Sequence, residues 1–165
     1  MQKKSVLRTL MVTIAMIVCG LLASGASDMA DNQHAGRTLH VLFHPTSYKS
    51  TQADPTGSVF ASGDEIFLGG TILRFESPDE QIGTVGLHCS ATGAEGSELL
   101  CEVVFTLQRG KIAGQTLFNV QGEWLNPTRK LAITGGTGAY RNAAGEITVT
   151  ALGTGDEKIT FKFGD

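Results

Sequence analysis

Cysteine, proline and the larger aromatics are scarce in this chain of 165 residues, which holds three Cys, four Pro, two Tyr and a single Trp. No CxxC pair occurs, and the histidines stand apart at 34, 40, 44 and 88. A metal centre built from clustered ligands therefore has no framework here; His40 and His44 share a strand face but have no acidic or thiol neighbour in sequence. Charge is also thin, at 18% of residues, with no basic excess to attract nucleic acid or an anionic membrane. No helical period survives beyond two turns, which excludes a helical bundle. A Ser-His-Asp order and a nucleophile-elbow glycine pattern are both missing.

Acids are absent before Asp28, and that absence is informative. Lys3, Lys4 and Arg8 precede an apolar run from Leu10 to Leu22, followed by Ala23-Ser24-Gly25-Ala26-Ser27. The run is shorter than the roughly 20 residues a membrane-spanning helix needs. Charged, apolar and small regions in that order predict a secretory signal peptide over residues 1–27. Cys19 follows Val18, where a lipid-attachment site wants a small residue, so lipidation is not expected. Removing the segment leaves 10 of the 13 Lys and Arg against all 16 Asp and Glu, a net charge of −6. Residues 28–36 read as a mobile leader and 37–165 as one domain, secreted or periplasmic and without a membrane span. In an oxidising compartment the two remaining cysteines, Cys89 and Cys101, are expected to form a disulfide.

What the chain does have is glycine, 21 residues of it, spread throughout. Short apolar stretches alternate with Gly, Asn, Asp and Pro about every 10 residues, the spacing of a sandwich or barrel. Strands are predicted over 38–44, 65–76, 81–91, 98–108, 111–124, 129–134, 145–151 and 157–163. Eight strands with short connections suit an all-β, eight-stranded antiparallel β-barrel, which leaves no exposed sheet edge. Residues 45–62 form the one long loop, a candidate lid or rim.

The hairpin around Gly93-Ala94-Glu95-Gly96 fixes a register. A turn centred on Glu95 sets Cys89 opposite Cys101, His88 opposite Glu102 and Leu87 opposite Val103, and directly opposed cysteines are placed for bridging. Alternation then puts Val85, Leu87, Cys89, Leu99, Cys101, Val103 and Phe105 on one face. Thr84, Gly86, His88, Ser90, Glu102 and Thr106 fall on the other. If the polar face points inward, His88 and Glu102 are a candidate general acid/base pair in a dry cavity. If it points outward they are a surface ion pair; the outward reading is the favoured of the two.

Residues 131–148, LAITGGTGAYRNAAGEIT, are the most distinctive segment. A GxGxxG dinucleotide loop would need glycine where Arg141 stands, and the Walker lysine is missing. Physically it reads as a tight turn with φ-positive backbone, where a Cβ would clash at three glycines and Tyr140 folds its ring over. The segment resembles the GGTG-aromatic-Arg-x-Ala turn of dirigent proteins and the GG-x-G turn of allene oxide cyclases. Val120-Gln121-Gly122, Trp124-Leu125 and Leu131-Ala132-Ile133-Thr134 resemble the cyclase approach to that turn, and Gly63-Asp64 and Val104-Phe105-Thr106-Leu107 fit both families. This resemblance covers about residues 38–163. It implies an eight-stranded barrel, a homo-oligomer (dimer or trimer), with an elongated apolar cavity. The pocket glutamate, asparagine and cysteine of the cyclases fall near Phe43, Gly70 and His88, so none is kept. Arg141 matches the first arginine of the dirigent turn, while Ala144 replaces the next basic residue. Related barrels include bacterial cyclases that fold polyketide chains for ring closure.

The expected ligand is a small apolar metabolite, bound without cofactor or metal, with its cyclisation or stereoselective coupling steered by cavity shape. A non-catalytic binding or dirigent-like guide protein is the alternative. Trp124, Tyr140, Arg141 and Arg74 are the candidate ligand-binding residues, with structural readings of core plug, turn brace and solvated strand end beside them. A lumen packed shut by Phe43, Phe67, Phe105 and Phe118 would exclude a ligand altogether.

Overall fold

A computed structural model describes residues 36–51, 60–93, 96–123 and 126–164. The predicted signal peptide, all but the last residue of the predicted leader, and Trp124 lie outside the described residues. Eight strands follow in order: β1 Thr38–Ser50, β2 Glu65–Arg74, β3 Ser77–Thr92, β4 Glu98–Leu107, β5 Gly110–Asn119, β6 Thr128–Gly136, β7 Gly145–Ala151 and β8 Glu157–Phe163. Each pairs antiparallel with its sequence neighbour, and six residue pairs from Thr38↔Lys162 to Phe43↔Glu157 join β1 to β8. The sheet is therefore a closed barrel, as the strand count and spacing predict.

Alternation decides which side chains enter the barrel. On β4 the burial pattern is strictly period two: Leu99, Cys101, Val103 and Phe105 are buried, while Leu100, Glu102, Val104 and Thr106 are exposed. The same alternation sends Ile147 and Val149 of β7 and Ile159, Phe161 and Phe163 of β8 inward. The β3–β4 hairpin carries the predicted register, with Cys89↔Cys101, His88↔Glu102 and Leu87↔Val103 as partners. Cys89 and Cys101 are fully buried and bonded to each other, Cα atoms 4.0 Å apart.

Three boundaries differ from the predicted ones by more than three residues. β1 continues six residues past His44, through Pro45, with a bulge between Pro45 and Ser47 in its pairing to β2. A proline lacks the N–H that a regular ladder uses, and a bulge is where its absence is tolerated. Ser77-Pro78-Asp79, which lies between the strands predicted over 65–76 and 81–91, instead opens β3 after a two-residue turn at Phe75 and Glu76. β5 stops at Asn119, where its own side chain accepts the N–H groups of Gln121 and Gly122 and turns the chain.

The glycine-rich turn is as predicted at two of its three positions. A Cβ on Gly136 would meet the carbonyl oxygens of Tyr140 and Lys111, and one on Gly138 the carbonyl of Arg109. At Gly135 there is open space, and what the position needs is its φ of +148°. Gly138–Tyr140 forms a single 3₁₀ turn, and Tyr140 stacks over Phe163 with ring centroids 6.1 Å apart. Gly63-Asp64 also has a structural explanation. Asp64 is the one buried charged residue among those described; its carboxylate accepts the Ala61 N–H at 2.8 Å and its carbonyl accepts the Ala91 N–H at 2.7 Å. The turn into β2 is thereby tied to the end of β3 beside the disulfide.

The disulfide closes a loop of 12 residues' separation, and a link of that length constrains the unfolded chain by about 3 kcal/mol. Replacing both cysteines by serine is expected to lower unfolding free energy by about 2–4 kcal/mol in urea denaturation, with the urea dependence little changed. A change below ~0.5 kcal/mol would contradict the assigned role.

Candidate functional site

The lumen is open. Within one half of the barrel lies a cavity of about 220 Å³ bounded, among the described residues, by fourteen, eleven of them hydrocarbon or phenyl side chains. Phe43, Phe105 and Phe118 stand in its wall and leave this space between them, while Phe67 lies outside on the surface. The packed-shut arrangement that would exclude a ligand is not what the barrel adopts.

Three polar residues face this cavity: Tyr48, Arg129 and Glu157. Arg129 is the second residue of β6 and Glu157 the first of β8, so both stand at the end of the barrel from which those strands set out. The Arg129 guanidinium donates to the Glu157 carboxylate across the intervening β7. Their side chains are only 17% and 19% exposed, which removes the pair from the class of weak surface bridges. In an apolar wall, each charge depends on the other for the hydration it has lost. Glu157 lies opposite Phe43 on β1 and Ala151 on β7, so a carboxylate edge is set directly beside a ring that lines the cavity. Tyr48, at the far end of β1, is 65% exposed and sits at the rim.

The wall is incomplete next to this pair. The β5–β6 ladder has four residue pairs and ends at Gln115↔Ala132. β5 from Thr116 and β6 up to Leu131 make no pairing with each other, although Phe118 and Arg129 on these stretches both line the cavity.

The other predicted site residues are distributed around the barrel. His88 and Glu102 are partners in register but face outward, so the general acid/base reading, which needs the polar face inward, is corrected. The His88 ring stacks on Phe67 at 4.7 Å, its Nε2 lies 3.4 Å from Glu65 Oε1, and Glu102 accepts from Gln115 Nε2 at 3.4 Å. The reason is the disulfide: Cys89 and Cys101 adjoin these residues on the opposite parity and occupy the interior. Arg74 makes two hydrogen bonds to Glu80, of 2.6 and 2.8 Å. These bonds raise the Arg74 pKa and hold the Glu80 carboxyl below the usual carboxylate range. Arg74 and Tyr140 border a depression at the opposite end of the barrel, and Arg141 is exposed on the turn and borders neither space. His40 bonds Thr160 and His44 bonds Asp156 on the outer surface. Among the described residues no group of three or more His, Cys, Asp and Glu could hold a metal ion.

Arg129 and Glu157 escaped notice in the sequence because charges at strand ends read as solvated termini. Parity was the available signal. Arg129 shares its face with Leu131 and Ile133, and Glu157 shares its face with Ile159, Phe161 and Phe163.

A closed eight-stranded antiparallel barrel with an apolar lumen and one inward ion pair defines a small-molecule-binding class. The chain belongs to the dirigent-like protein family, whose family model matches residues 28–163. Among solved structures it is similar to a pyocyanin demethylase, with 26% identity, a TM-score of 0.63, and coverage of 76% of this chain and 98% of that one. It is also similar to a pterocarpan synthase dirigent protein (18% identity, TM-score 0.54, 78% and 96% covered). A third similar structure is the Diels-Alderase AbmU from Streptomyces koyangensis (14% identity, TM-score 0.60, 77% and 64% covered). No match to a curated protein sequence was found.

Because the two charges depend on each other, removing one should cost more than removing both in proportion. Arg129→Met is expected to lose about 2–4 kcal/mol of unfolding free energy, and Arg129→Met with Glu157→Leu clearly less than the sum of the two single losses. Strict additivity in urea denaturation would mean that the pair is not coupled.

Proposed function

We propose that this protein takes a small, largely apolar metabolite into its lumen and steers the cyclisation or stereoselective coupling of that metabolite. The observation that carries this reading is the cavity itself, about 220 Å³ of apolar wall with a single inward ion pair. A hydrocarbon surface holds a ligand by area and shape but does not choose which way round it sits. The Arg129–Glu157 pair supplies that choice, since the guanidinium donates to a ligand carbonyl or phenolate oxygen and the carboxylate accepts from a hydroxyl. Holding reacting atoms in a near-attack arrangement, with water excluded, lowers a barrier by several kcal/mol without a nucleophile.

The similar structures are a demethylase, a pterocarpan synthase and a Diels-Alderase, three different reactions on one barrel. Chemistry in such a fold follows from the lining and not from the strands. Glu157 is the carboxylate among the described lumen residues, so in the catalytic reading it is the residue that accepts or returns a proton. In the second reading, favoured by membership of the dirigent-like family, the barrel only guides a radical or other intermediate generated by a partner oxidase. In both readings the chain works in a secreted or periplasmic setting, which the buried disulfide fits.

Neutral 2-naphthol is a suitable probe of the lumen. It should bind saturably to the wild type and about tenfold more weakly to Val149→Phe, which fills the cavity at a cost of about 1–3 kcal/mol in stability. Undetectable binding to a folded wild type would overturn the proposal. Coupling of a prochiral phenol then separates the two readings. A product enriched in one enantiomer only when a one-electron oxidant is added supports the guide, and conversion of a substrate without any oxidant, lost in Glu157→Gln, supports the enzyme.

A further inference from the structure

The two ends of the barrel interior are separated by rings. Phe161, fully buried, meets Phe105 edge-on at 4.9 Å and stacks with Phe163 at 6.2 Å, and Phe163 stacks in turn with Tyr140. Phe105 borders the lumen already described. Phe163 and Tyr140 border a second depression, of about 270 Å³, at the opposite end. Phe161 borders neither, and so stands between them.

This second space differs in chemistry. Among the described residues its wall includes Arg37, Arg74 and Arg109 and no acidic residue, in a chain whose net charge is −3. Arg74 is held in place by the two hydrogen bonds it donates to the Glu80 carboxylate, which neutralises it in part. Arg109 is positioned by its backbone, whose carbonyl accepts the Ala139 N–H at 2.8 Å. Among the described residues its guanidinium has no hydrogen-bond or ion-pair partner. Between these cations the wall is apolar, formed by Leu39, Ile82 and Leu107 with the Tyr140 and Phe163 rings.

Arginines bordering an apolar floor suit an anion with a hydrocarbon body, because the planar fork matches a carboxylate while the rings take up the remainder. We propose that this depression is a second ligand site, which binds a small aromatic carboxylate with its charge on Arg109 and Arg74 and its ring against Tyr140 and Phe163. The site stands apart from the lumen on the far side of Phe161, and does not depend on what the lumen does. Two of its residues, Arg74 and Tyr140, are ones that sequence reasoning singled out for ligand binding and that the lumen leaves unused.

Calorimetric titration of the full chain with 2-naphthoate and with its neutral counterpart 2-naphthamide tests the assignment. The acid should bind saturably, the amide about tenfold more weakly, and Arg109→Gln should weaken the acid by a similar factor while leaving the circular dichroism spectrum unchanged. Backbone amide shifts on adding the acid should cluster at residues 107–110 and 138–140. No saturable binding, equal binding of acid and amide, or shifts clustered instead around Arg129 and Glu157 would each overturn the proposal.

Discussion

Everything in this molecule depends on the joining of β1 to β8. Six backbone pairs turn a meander of neighbouring hairpins into a ring, and only in a ring does each strand have an inside. Alternation along a strand assigns side chains to two faces, but closure makes one of those faces a shared enclosed volume. The buried disulfide, the aromatic column and the Arg129–Glu157 pair all exist as interior features because of that closure.

The parts legible from sequence were those governed by local rules. Turn chemistry around Gly93–Gly96 fixed the β3–β4 register to the residue, and the cysteines agreed with it. Inside and outside were harder, because which hairpin face lines the lumen depends on contacts with strands far away in the chain. His88 and Glu102 could therefore be paired but not placed. The same limit hid Arg129 and Glu157. Each looked like a solvated strand end, whereas across β7 the two are partners, 28 residues apart in sequence, a pairing that no local pattern announces. Pro45 misled in the opposite direction: proline usually ends a strand, yet a bulge let β1 run on to Ser50.

The distribution of polarity inside the barrel separates holding from directing. Most of the lumen is hydrocarbon and phenyl surface, which is permissive toward any ligand of suitable volume. Selectivity has to enter through the few groups that are not, and these sit together at one end, beside the stretch where β5 and β6 do not pair. A wall without ladder hydrogen bonds is also the part that can yield most cheaply to a bulky guest. On such a frame a handful of inward positions decides what the lumen accepts, while the eight strands stay the same.

The ring column through Phe161 also has a kinetic consequence. Because Phe161 is fully buried and borders neither space, a guest in the lumen does not pass along the barrel axis to the far end unless these rings move, and exchange of one guest for another is left to the side of the barrel where Arg129 and Glu157 stand.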